Sequence, residues 1–373
     1  MPYVPEASKK YVLEALESNH QQGDGPFTAK ASKMISDLVG GGHVLLTPSC
    51  THALEMASML ANIGPGDEVI LPSYTFTSAA TAVTKFGATP VFVDIEWNTK
   101  GIDINQVRES ISPRTKAISW VNYAGVAPDI EGLQSLAKEF NLLLIEDNAH
   151  GLGGSYKGRP LGSFGDFATQ SFHATKNIQC GEGGALVINK KEFVDRAEII
   201  REKGTDRTKF IRGEVQKYQW VDQGSSYLIA ESLAAVLVGQ LEEFTKIQNL
   251  RESTFEKYLT GTQAIREKLD LPDEAIYEKP YGTSHMFYLC VKSESQRKLI
   301  KFLKIKNIVA ASHYQNLATS QKGNAYQKAN RFGFEITTKM SNSIVRFPLY
   351  ISETDFSVDV INSVVEFFEG RYQ

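Results

Sequence analysis

The sequence predicts an α/β protein in which a large, mostly parallel sheet domain is followed by a smaller α+β domain. Between residues 43 and 190, short β-rich runs alternate with helix-like segments, which is the pattern of parallel strands joined by crossover helices. Several of these runs, such as Leu142–Ile145, are continuously apolar, as strands covered on both faces are. The chain has 373 residues, more than one hydrophobic core normally organises, so a second domain is expected.

Seven strands are predicted for the large sheet. They are His43–Ser49, Glu68–Pro72, Thr89–Asp94, Ala117–Tyr123, Leu142–Asp147, Ala168–Phe172 and Ala185–Ile188. Apolar residues at helical spacing predict crossover helices over Thr51–Asn62 and Ile130–Phe140. The first of these helices is expected to end at Gly64-Pro65-Gly66-Asp67, since proline and glycine both interrupt a helix.

After the last strand the pattern changes. A charged helix is predicted over Lys191–Lys203, a polar loop over Gly204–Ser226 and a helix over Ala230–Phe244. A loop of that length in a compact protein is usually functional. The rest of the chain mixes helix and strand, so we place the domain boundary near residue 250, between a large domain of residues 1–250 and a small one of residues 251–373.

The composition indicates a protein with a small ligand. Apolar residues make up 42% of the chain and the net charge is −3, which gives no electrostatic reason to expect nucleic acid. Cys50, Cys180 and Cys290 are odd in number and far apart, which fits a reducing compartment better than a disulfide framework. No basic region followed by an apolar one opens the sequence, and no apolar run approaches the roughly 20 residues that span a bilayer. We therefore expect a cytoplasmic protein that does not enter a membrane.

Two segments carry the residue types that pyridoxal phosphate chemistry needs. Glu146-Asp147 closes an apolar strand, at the carboxyl end where open α/β sheets bind their ligands. The segment Ser171–Asn177 contains Lys176 and precedes Gly181–Gly184, a glycine-rich turn that lets backbone approach a bound group. The cofactor most needs a lysine that forms a Schiff base and a carboxylate that pairs with the pyridine nitrogen. The sequence thus predicts a catalytic Lys176 and a cofactor-binding Asp147.

The same residues have other interpretations. A lone lysine is most often a solvated surface group, and an acidic pair can hold a metal ion in a nucleotide hydrolase or cap a helix. A hydrolase of that kind needs a glycine-rich loop ending in Gly-Lys-Ser or Gly-Lys-Thr, which the sequence lacks. A dinucleotide-binding fold is poorly supported, because Tyr156 stands where a third glycine would follow Gly151-Leu152-Gly153-Gly154. No metal site is expected.

Further positions are candidate contacts of the cofactor. Ser49 and Thr51 lie where a strand gives way to a helix, a junction that binds anions such as phosphate, although an ordinary helix cap is the alternative. Ser171, five residues before the lysine, could reach the same phosphate. Phe76 follows a strand end and could stack on the pyridine ring or belong to the core. His150 could meet the ring hydroxyl or be a structural histidine.

A series of motifs resembles the DegT/DnrJ/EryC1/StrS family of sugar-nucleotide aminotransferases over essentially the whole chain. The motifs are Gly23–Thr28, Ser49–Thr51, Pro72–Phe76, Tyr123–Gly125, Glu146-Asp147, Ser171–Asn177, Gly181–Gly184, His313-Tyr314 and Pro348–Tyr350. The resemblance implies the aspartate aminotransferase fold, the type I fold of pyridoxal phosphate enzymes. Arg201–Arg207 and Gly224–Leu228 look most like the branch that makes dTDP-4-amino-4,6-dideoxygalactose.

The resemblance also implies roles for individual residues. Lys176 would bond to pyridoxal 5'-phosphate, and the remaining cofactor contacts would come from Cys50, Thr51, Phe76, Asp147, His150, Ser171 and Ser226. Family members are homodimers with shared active sites, so Ser226 would reach the phosphate region of the neighbouring subunit. Many members have Asn in place of Ser226 and Gln in place of His150. Substrate binding would fall to His313 and Tyr314.

The reaction implied by the resemblance moves an amino group from L-glutamate to the C4 keto group of dTDP-4-keto-6-deoxyglucose. The product would enter a bacterial surface polysaccharide such as a lipopolysaccharide O-antigen. Three alternatives stay open: the gluco epimer of the product, amination at C3, and a protein that binds the cofactor without catalysis. The last is disfavoured, because a non-catalytic binder has no need of Lys176. Arg346 is a candidate for the carboxylate of the donor.

Overall fold

The structure, a computed structural model, describes residues 3–266, 283–352 and 354–370. Its strands are β1 (His43–Thr47), β2 (Glu68–Pro72), β3 (Thr89–Val93), β4 (Thr115–Val121), β5 (Leu143–Asp147), β6 (Ser155–Tyr156), β7 (Arg159–Pro160), β8 (Phe167–Ser171), β9 (Gly184–Ile188), β10 (Phe287–Cys290) and β11 (Ile344–Phe347). Its α-helices are α1 (Glu6–Glu17), α2 (Pro26–Leu38), α3 (Cys50–Leu60), α4 (Thr77–Thr84), α5 (Ile104–Ser110), α6 (Ile130–Phe140), α7 (Val194–Arg201), α8 (Arg207–Ile211), α9 (Glu231–Glu242), α10 (Phe244–Arg266), α11 (Ser293–Ile305), α12 (Glu335–Ser343) and α13 (Ser357–Phe368).

The seven predicted strands form one sheet in the order β1-β9-β8-β5-β4-β2-β3. Strand β9 pairs antiparallel with β1 and β8, and the other neighbours pair parallel. Each strand begins and ends within two residues of its predicted bounds. The expected fold class, an α/β protein with a large, mostly parallel sheet, is therefore confirmed.

Helices cover both faces of the sheet. On one face, α3 and α7 pack with their buried side chains Leu54, Leu60 and Ile200 against the strands. On the other, α5 and α6 contribute Val107 and Leu133 to a second cluster around Trp120. Because helices cover both faces of the sheet, strand side chains that point to either face are buried, which explains the continuous apolar runs in the strands.

Several elements differ from the sequence-based expectation. Helices α1, α2, α4 and α5 and the small β6–β7 hairpin had no prediction, and the polar loop over Gly204–Ser226 contains the short helix α8. Helix α1 has only two buried residues, Ser8 and Ala15, so its apolar signal is weak. It is held by packing on α9, a contact made across more than 200 residues of sequence.

A further apolar cluster centres on strands β10 and β11 of the C-terminal part and also includes Tyr74, Val121 and Tyr123 from the region of the large sheet. These two strands pair antiparallel, and their side chains Phe287 and Phe347 stack near Tyr258 of α10. The expected boundary near residue 250 falls inside α10, which runs without interruption from 244 to 266. That helix belongs to both parts, and the division into 1–250 and 251–373 stays a prediction. In the described ranges no helix has the length and hydropathy to cross a membrane.

Candidate active site

The carboxyl ends of β2, β4 and β5 face a cavity of about 460 Å³. It contains ten of the residues that the sequence singled out, namely Ser49, Cys50, Thr51, Phe76, Asp147, His150, Ser171, Lys176, His313 and Tyr314. Arg346 lines it as well. These residues come from positions up to 297 apart in sequence, so the fold brings the predicted site together.

One end of the cavity is the N-terminus of α3. Ser49 caps this helix by accepting a hydrogen bond from the His52 amide at 3.2 Å, and Thr51 Oγ1 lies 2.7 Å from Ser78 Oγ. Amides of a first helical turn have no partner within the helix and carry the positive end of its dipole. The helix cap and the anion site predicted for this segment are therefore compatible, since Ser49, Thr51 and Ser78 all line the cavity.

Gly184 of β9 lets the sheet approach this helix end closely. A Cβ at residue 184 would lie 2.3 Å from the carbonyl carbon of Ser49 and 2.4 Å from the amide nitrogen of Cys50. Any other residue would have to push the helix start away from the strand. The glycine-rich turn was expected to let backbone approach a bound group, whereas Gly184 accommodates the protein's own backbone.

Lys176 lies in the tight turn that follows β8. Its amide donates to the His173 carbonyl at 2.8 Å, and the Ala174 amide donates to the Gly181 carbonyl at 2.9 Å. Burial in the cavity lowers the pKa of the Lys176 amine to about 8, and the Arg346 guanidinium acts in the same direction, while Asp147 opposes it. About a tenth of this lysine is thus the neutral, nucleophilic amine at pH 7, far more than for an ordinary lysine.

The two acidic residues at the end of β5 have different surroundings. Asp147 lines the cavity, and its Oδ1 accepts a hydrogen bond from the Ala149 amide at 3.1 Å. Burial raises the pKa of this carboxyl, and Lys176 opposes the shift. Glu146 does not line the cavity and instead accepts hydrogen bonds from the amides of Gly162, Phe164 and Gly165. Only Asp147 can meet a ligand, and Glu146 holds a loop.

His150 is fixed in one neutral tautomer. The Ala124 amide donates to its Nδ1 at 3.2 Å, so the ring proton lies on Nε2, which is 3.4 Å from the Tyr314 hydroxyl. Burial lowers the pKa of His150 well below its usual value. Its ring stacks on His285, with centroids 4.4 Å apart. His150 can therefore offer an N–H donor to a group in the cavity.

His285 lines the cavity but was missed by the sequence reasoning. Its Nδ1 lies 2.8 Å from Asn177 Oδ1, and Arg251 donates to its carbonyl at 2.7 Å. The Asn177 amide nitrogen donates to Gln248 and to the Thr283 carbonyl, which identifies Oδ1 as the acceptor of the histidine proton. Nothing in the sequence around His285 distinguishes it from a core residue. The only pointer to a place in the site is its contact with Asn177 of the Ser171–Asn177 motif, which the sequence does not show.

His313 and Tyr314 come from the C-terminal part of the chain. Their rings stack with centroids 4.7 Å apart, and the Tyr74 hydroxyl donates to the His313 carbonyl. Burial lowers the pKa of His313 to about 3, so this ring is neutral and can accept from Arg346 Nη1, 3.3 Å from its Nε2. Both residues face the same cavity as the α3 terminus.

Two predicted contacts have distinctive surroundings. Phe76 is 57% exposed although it lines the cavity, so a face of its ring is available for stacking. Ser226 does not line the cavity; it is exposed and pairs through its backbone with Glu202. Ser226 therefore adds nothing to this cavity within one subunit, and its assignment to a neighbouring subunit's site stays a prediction.

The chain is similar to two curated proteins, to one of them over nearly its full length. It is 31% identical to the spore coat polysaccharide biosynthesis protein SpsC of Bacillus subtilis, covering 99% of this chain and 96% of that protein. GDP-perosamine synthase of Caulobacter vibrioides is 32% identical over 77% of this chain and 74% of its own length. Among solved structures, the putative sugar aminotransferase Spr1654 of Streptococcus pneumoniae in its PMP form superposes with a TM-score of 0.85, at 25% identity and full coverage of both chains.

The residues of the cavity fit pyridoxal phosphate. A helix N-terminus with hydroxyl groups suits its phosphate, the Asp147 carboxylate suits its ring nitrogen, and the Lys176 amine suits its aldehyde. The described residues include no cluster of three or more metal-ligating side chains. Residues 2–366 match the model of the DegT/DnrJ/EryC1/StrS aminotransferase family, and the chain belongs to this family of pyridoxal phosphate-dependent aminotransferases.

Proposed function

We propose that the protein transfers the amino group of L-glutamate to the C4 keto group of dTDP-4-keto-6-deoxyglucose and forms dTDP-4-amino-4,6-dideoxygalactose. The reaction would take place in the cytoplasm and supply a surface polysaccharide. The observation that carries the proposal is Lys176, an amine with a pKa of about 8 that shares one cavity with Asp147 and the N-terminus of α3. A protein that only bound the cofactor would not need an amine poised in this way.

Each group of the cavity has a part in the proposed reaction. Bound pyridoxal phosphate supplies an aldehyde that takes up amines and a ring that accepts electrons. The α3 terminus, with Thr51 and Ser171, binds the phosphate, while Asp147 as a carboxylate keeps the ring nitrogen protonated. His150 offers its Nε2 proton to the ring hydroxyl, and Phe76 covers a face of the ring.

Lys176 moves the protons. As a neutral amine it accepts a proton from the α-carbon of the donor, and as an ammonium it returns a proton during the second half of the reaction. A pKa of about 8 suits both directions, because the ammonium outweighs the neutral amine by only about tenfold at pH 7 and both forms are populated. The amine therefore serves donor and acceptor in turn, with ping-pong kinetics as the expected result.

The acceptor class is supported by relatives and by the motifs. SpsC is named for polysaccharide biosynthesis and GDP-perosamine synthase for a nucleotide-linked amino sugar. A neutral His313 and Tyr314 line the cavity with hydrogen-bonding groups that suit sugar hydroxyls. The dTDP nucleotide and the galacto configuration rest on Arg201–Arg207 and Gly224–Leu228, which look like the dTDP-4-amino-4,6-dideoxygalactose branch.

A homodimer is part of the proposal. Exposed large apolar side chains cluster around α8 and the loop after it, at Phe210, Ile211, Tyr218, Trp220 and Val221. Trp220 is 79% exposed, which is unusual for a side chain with so much apolar area. A second copy that covers this loop would bring the neighbouring Ser226 into contact with another subunit. Light scattering on the purified protein should then give twice the mass of one chain.

The experiment that tests the proposal combines spectroscopy with product analysis. The purified protein is mixed first with L-glutamate and then with dTDP-4-keto-6-deoxyglucose while the visible absorption of the cofactor is followed. Glutamate should bleach the band, the ketosugar should restore it, and NMR of the sugar should show an axial C4 amine. A gluco product, amination at C3, or a response only to a GDP-linked ketosugar would each contradict the assignment of substrate and product.

A further inference from the structure

His285 is a buried histidine of the cavity to which the proposed reaction gives no part. It precedes β10, lines the cavity and is only 2% exposed. Its Nδ1 donates a hydrogen bond to Asn177 Oδ1 over 2.8 Å, and Arg251 donates to its carbonyl. Burial lowers the pKa of His285 well below its usual value, so the ring is neutral. Both the side chain and the backbone of His285 are thus fixed in place.

The ring of His285 stacks on that of His150. The two centroids are 4.4 Å apart, and the planes differ by 24°. Tyr123 meets the His150 ring in an edge-to-face arrangement, with centroids 5.8 Å apart. The two nitrogens of His150 have other neighbours, since Nδ1 accepts from the Ala124 amide and Nε2 lies 3.4 Å from the Tyr314 hydroxyl. In an interior packed this closely, a ring in contact with two buried rings cannot turn over unless one of them moves.

The amide that fixes His150 Nδ1 is itself held by the segment that ends at His285. Ala124 has a φ of 55°, in the left-handed region that residues other than glycine rarely adopt. Its carbonyl accepts a hydrogen bond from the Thr283 hydroxyl at 2.9 Å. Thr283 packs so closely on the next residue that a Cβ on Gly125 would lie 1.9 Å from Thr283 Oγ1. The segment therefore acts on His150 twice, through the stack and through the Ala124 amide.

We propose that His285 is a positioning residue, which holds His150 in the orientation and tautomer that direct its Nε2 proton at the ring hydroxyl of the cofactor. This rests on the part that the proposed function gives to His150. A His150 ring turned over about its Cβ–Cγ bond would present a carbon where Nε2 now lies and would offer no donor to the cavity. A protonated ring would carry a proton on Nδ1, against the amide hydrogen of Ala124. The stack with His285 opposes both changes, because it blocks the rotation and keeps water off one face of the ring.

The other titratable groups around the two rings also keep them neutral. Burial is the main reason that the pKa of each histidine is low, and nearby groups that are cationic when protonated act in the same direction. These groups are Lys176, Arg346, His313 and Arg251. The phenols of Tyr123 and Tyr314 beside the rings are uncharged, because burial raises their pKa. The pair should therefore stay neutral over the pH range in which an ordinary histidine titrates.

The test observes His150 directly by NMR of the apoprotein with isotope-labelled histidine, so that neither cofactor nor substrate is needed. Long-range proton–nitrogen correlations show which ring nitrogen carries a proton and at which pH the ring titrates. His150→Gln identifies the signals of His150 by their loss. His285→Ala removes the stacked ring, His285→Phe restores a ring, and His43→Ala is the control because His43 does not line the cavity. Thermal unfolding verifies that each variant is folded.

In the wild type and in His43→Ala, we expect a single His150 tautomer, with its proton on Nε2, that stays neutral down to about pH 5. In His285→Ala the ring can turn over and water can reach its face, so it should show both tautomers and titrate between about pH 5 and 8. His285→Phe should restore the single neutral tautomer. If His285→Ala does not fold, His285→Gln, which keeps an N–H donor for Asn177 but has no ring, takes its place with the same expectation. A single neutral tautomer without the His285 ring, or mixed tautomers in His285→Phe, would overturn the proposal.

A second readout, on the cofactor-loaded enzyme, separates this outcome from that of the proposed function. A donor at the ring hydroxyl stabilises its anionic oxygen, so loss of the donor should raise the pH midpoint of the visible absorption band by about 0.5–1 unit, the effect of one hydrogen bond. His150→Leu removes the donor itself. A shift in His150→Leu and none in His285→Ala would overturn the positioning role, whereas no shift in either would refute the contact of His150 with the ring hydroxyl and the proposal with it. Neither readout depends on which sugar is aminated, so a wrong acceptor would leave both unchanged.

Discussion

The contact between Gly184 and the start of α3 gives a sharp test of how the phosphate site is built. In Gly184→Ala the new Cβ would lie 2.3 Å from the Ser49 carbonyl carbon, whereas ordinary contacts are 3.4–4 Å, so the strand and helix must separate by about 1 Å. Overpacking of this kind costs about 1–3 kcal/mol. The helix start is the part free to move, because one side of it faces the cavity.

The expected result is a loss of cofactor affinity. If the strain is relieved by a shift of the first turn of α3, its amides and Thr51 move away from the phosphate. A loss of about 1–3 kcal/mol of binding free energy corresponds to a dissociation constant about 5- to 150-fold larger. The constant is measured by titrating apoprotein with pyridoxal phosphate and following absorbance. Gly64→Ala is the control, since a Cβ there would meet nothing within 4 Å. Equal cofactor affinity in both variants would refute this account of the site.

Four further results are expected. The rate at which apoprotein captures the cofactor should rise with pH through about 8, the lowered pKa of Lys176, and a rate independent of pH in stopped-flow absorbance would contradict this. In the unfolded chain Lys176 keeps its proton up to about pH 10.5, whereas in the folded protein it loses the proton above about pH 8. The contribution of Lys176 to the free energy of unfolding therefore rises with pH between these two pKa values. Asp147→Asn should lower kcat about 10²–10³-fold. It should nevertheless leave the midpoint of urea unfolding of the apoprotein unchanged or raise it, because burial raises the pKa of Asp147 and so disfavours its charged form at neutral pH. Glu231 accepts hydrogen bonds from the Gly25, Phe27 and Thr28 amides. Glu231→Gln should therefore lower the free energy of unfolding by about 2–4 kcal/mol. The control Glu6→Gln, at an exposed position, should change the free energy of unfolding by no more than about 0.5 kcal/mol.

Much of the large sheet could be predicted from the sequence, because its strands are buried on both faces and therefore form continuous apolar runs. Helix α6 was predicted with its observed bounds, since its apolar residues repeat at helical spacing between an Asp129 cap and the left-handed Asn141. That Lys176 and Asp147 line one cavity could be expected from the sequence, because the predicted chemistry needs these residue types next to strand ends. The family and the cofactor expected from these residues are confirmed by the match over residues 2–366.

Other features depend on contacts that no local pattern encodes. His285 and Arg251 come from the C-terminal half of the chain and reach the site only through tertiary packing. Glu146 and Asp147 are neighbours in sequence, but alternation along β5 sends one carboxylate to a loop and the other to the cavity. Helix α2 begins at Pro26, which is a local signal for a helix start, but its first amides donate to Glu231, some 200 residues later, and not to a neighbouring side chain.

The most direct test of the central claim is to identify the lysine that holds the cofactor. The cofactor-loaded protein is reduced with borohydride, digested, and analysed by mass spectrometry for the peptide that carries the added pyridoxyl group. The account predicts this group on Lys176, in the peptide that contains Ser171–Asn177, and its absence from Lys176→Ala treated in the same way. A pyridoxyl group on another lysine of the wild-type protein, or none at all, would contradict the account.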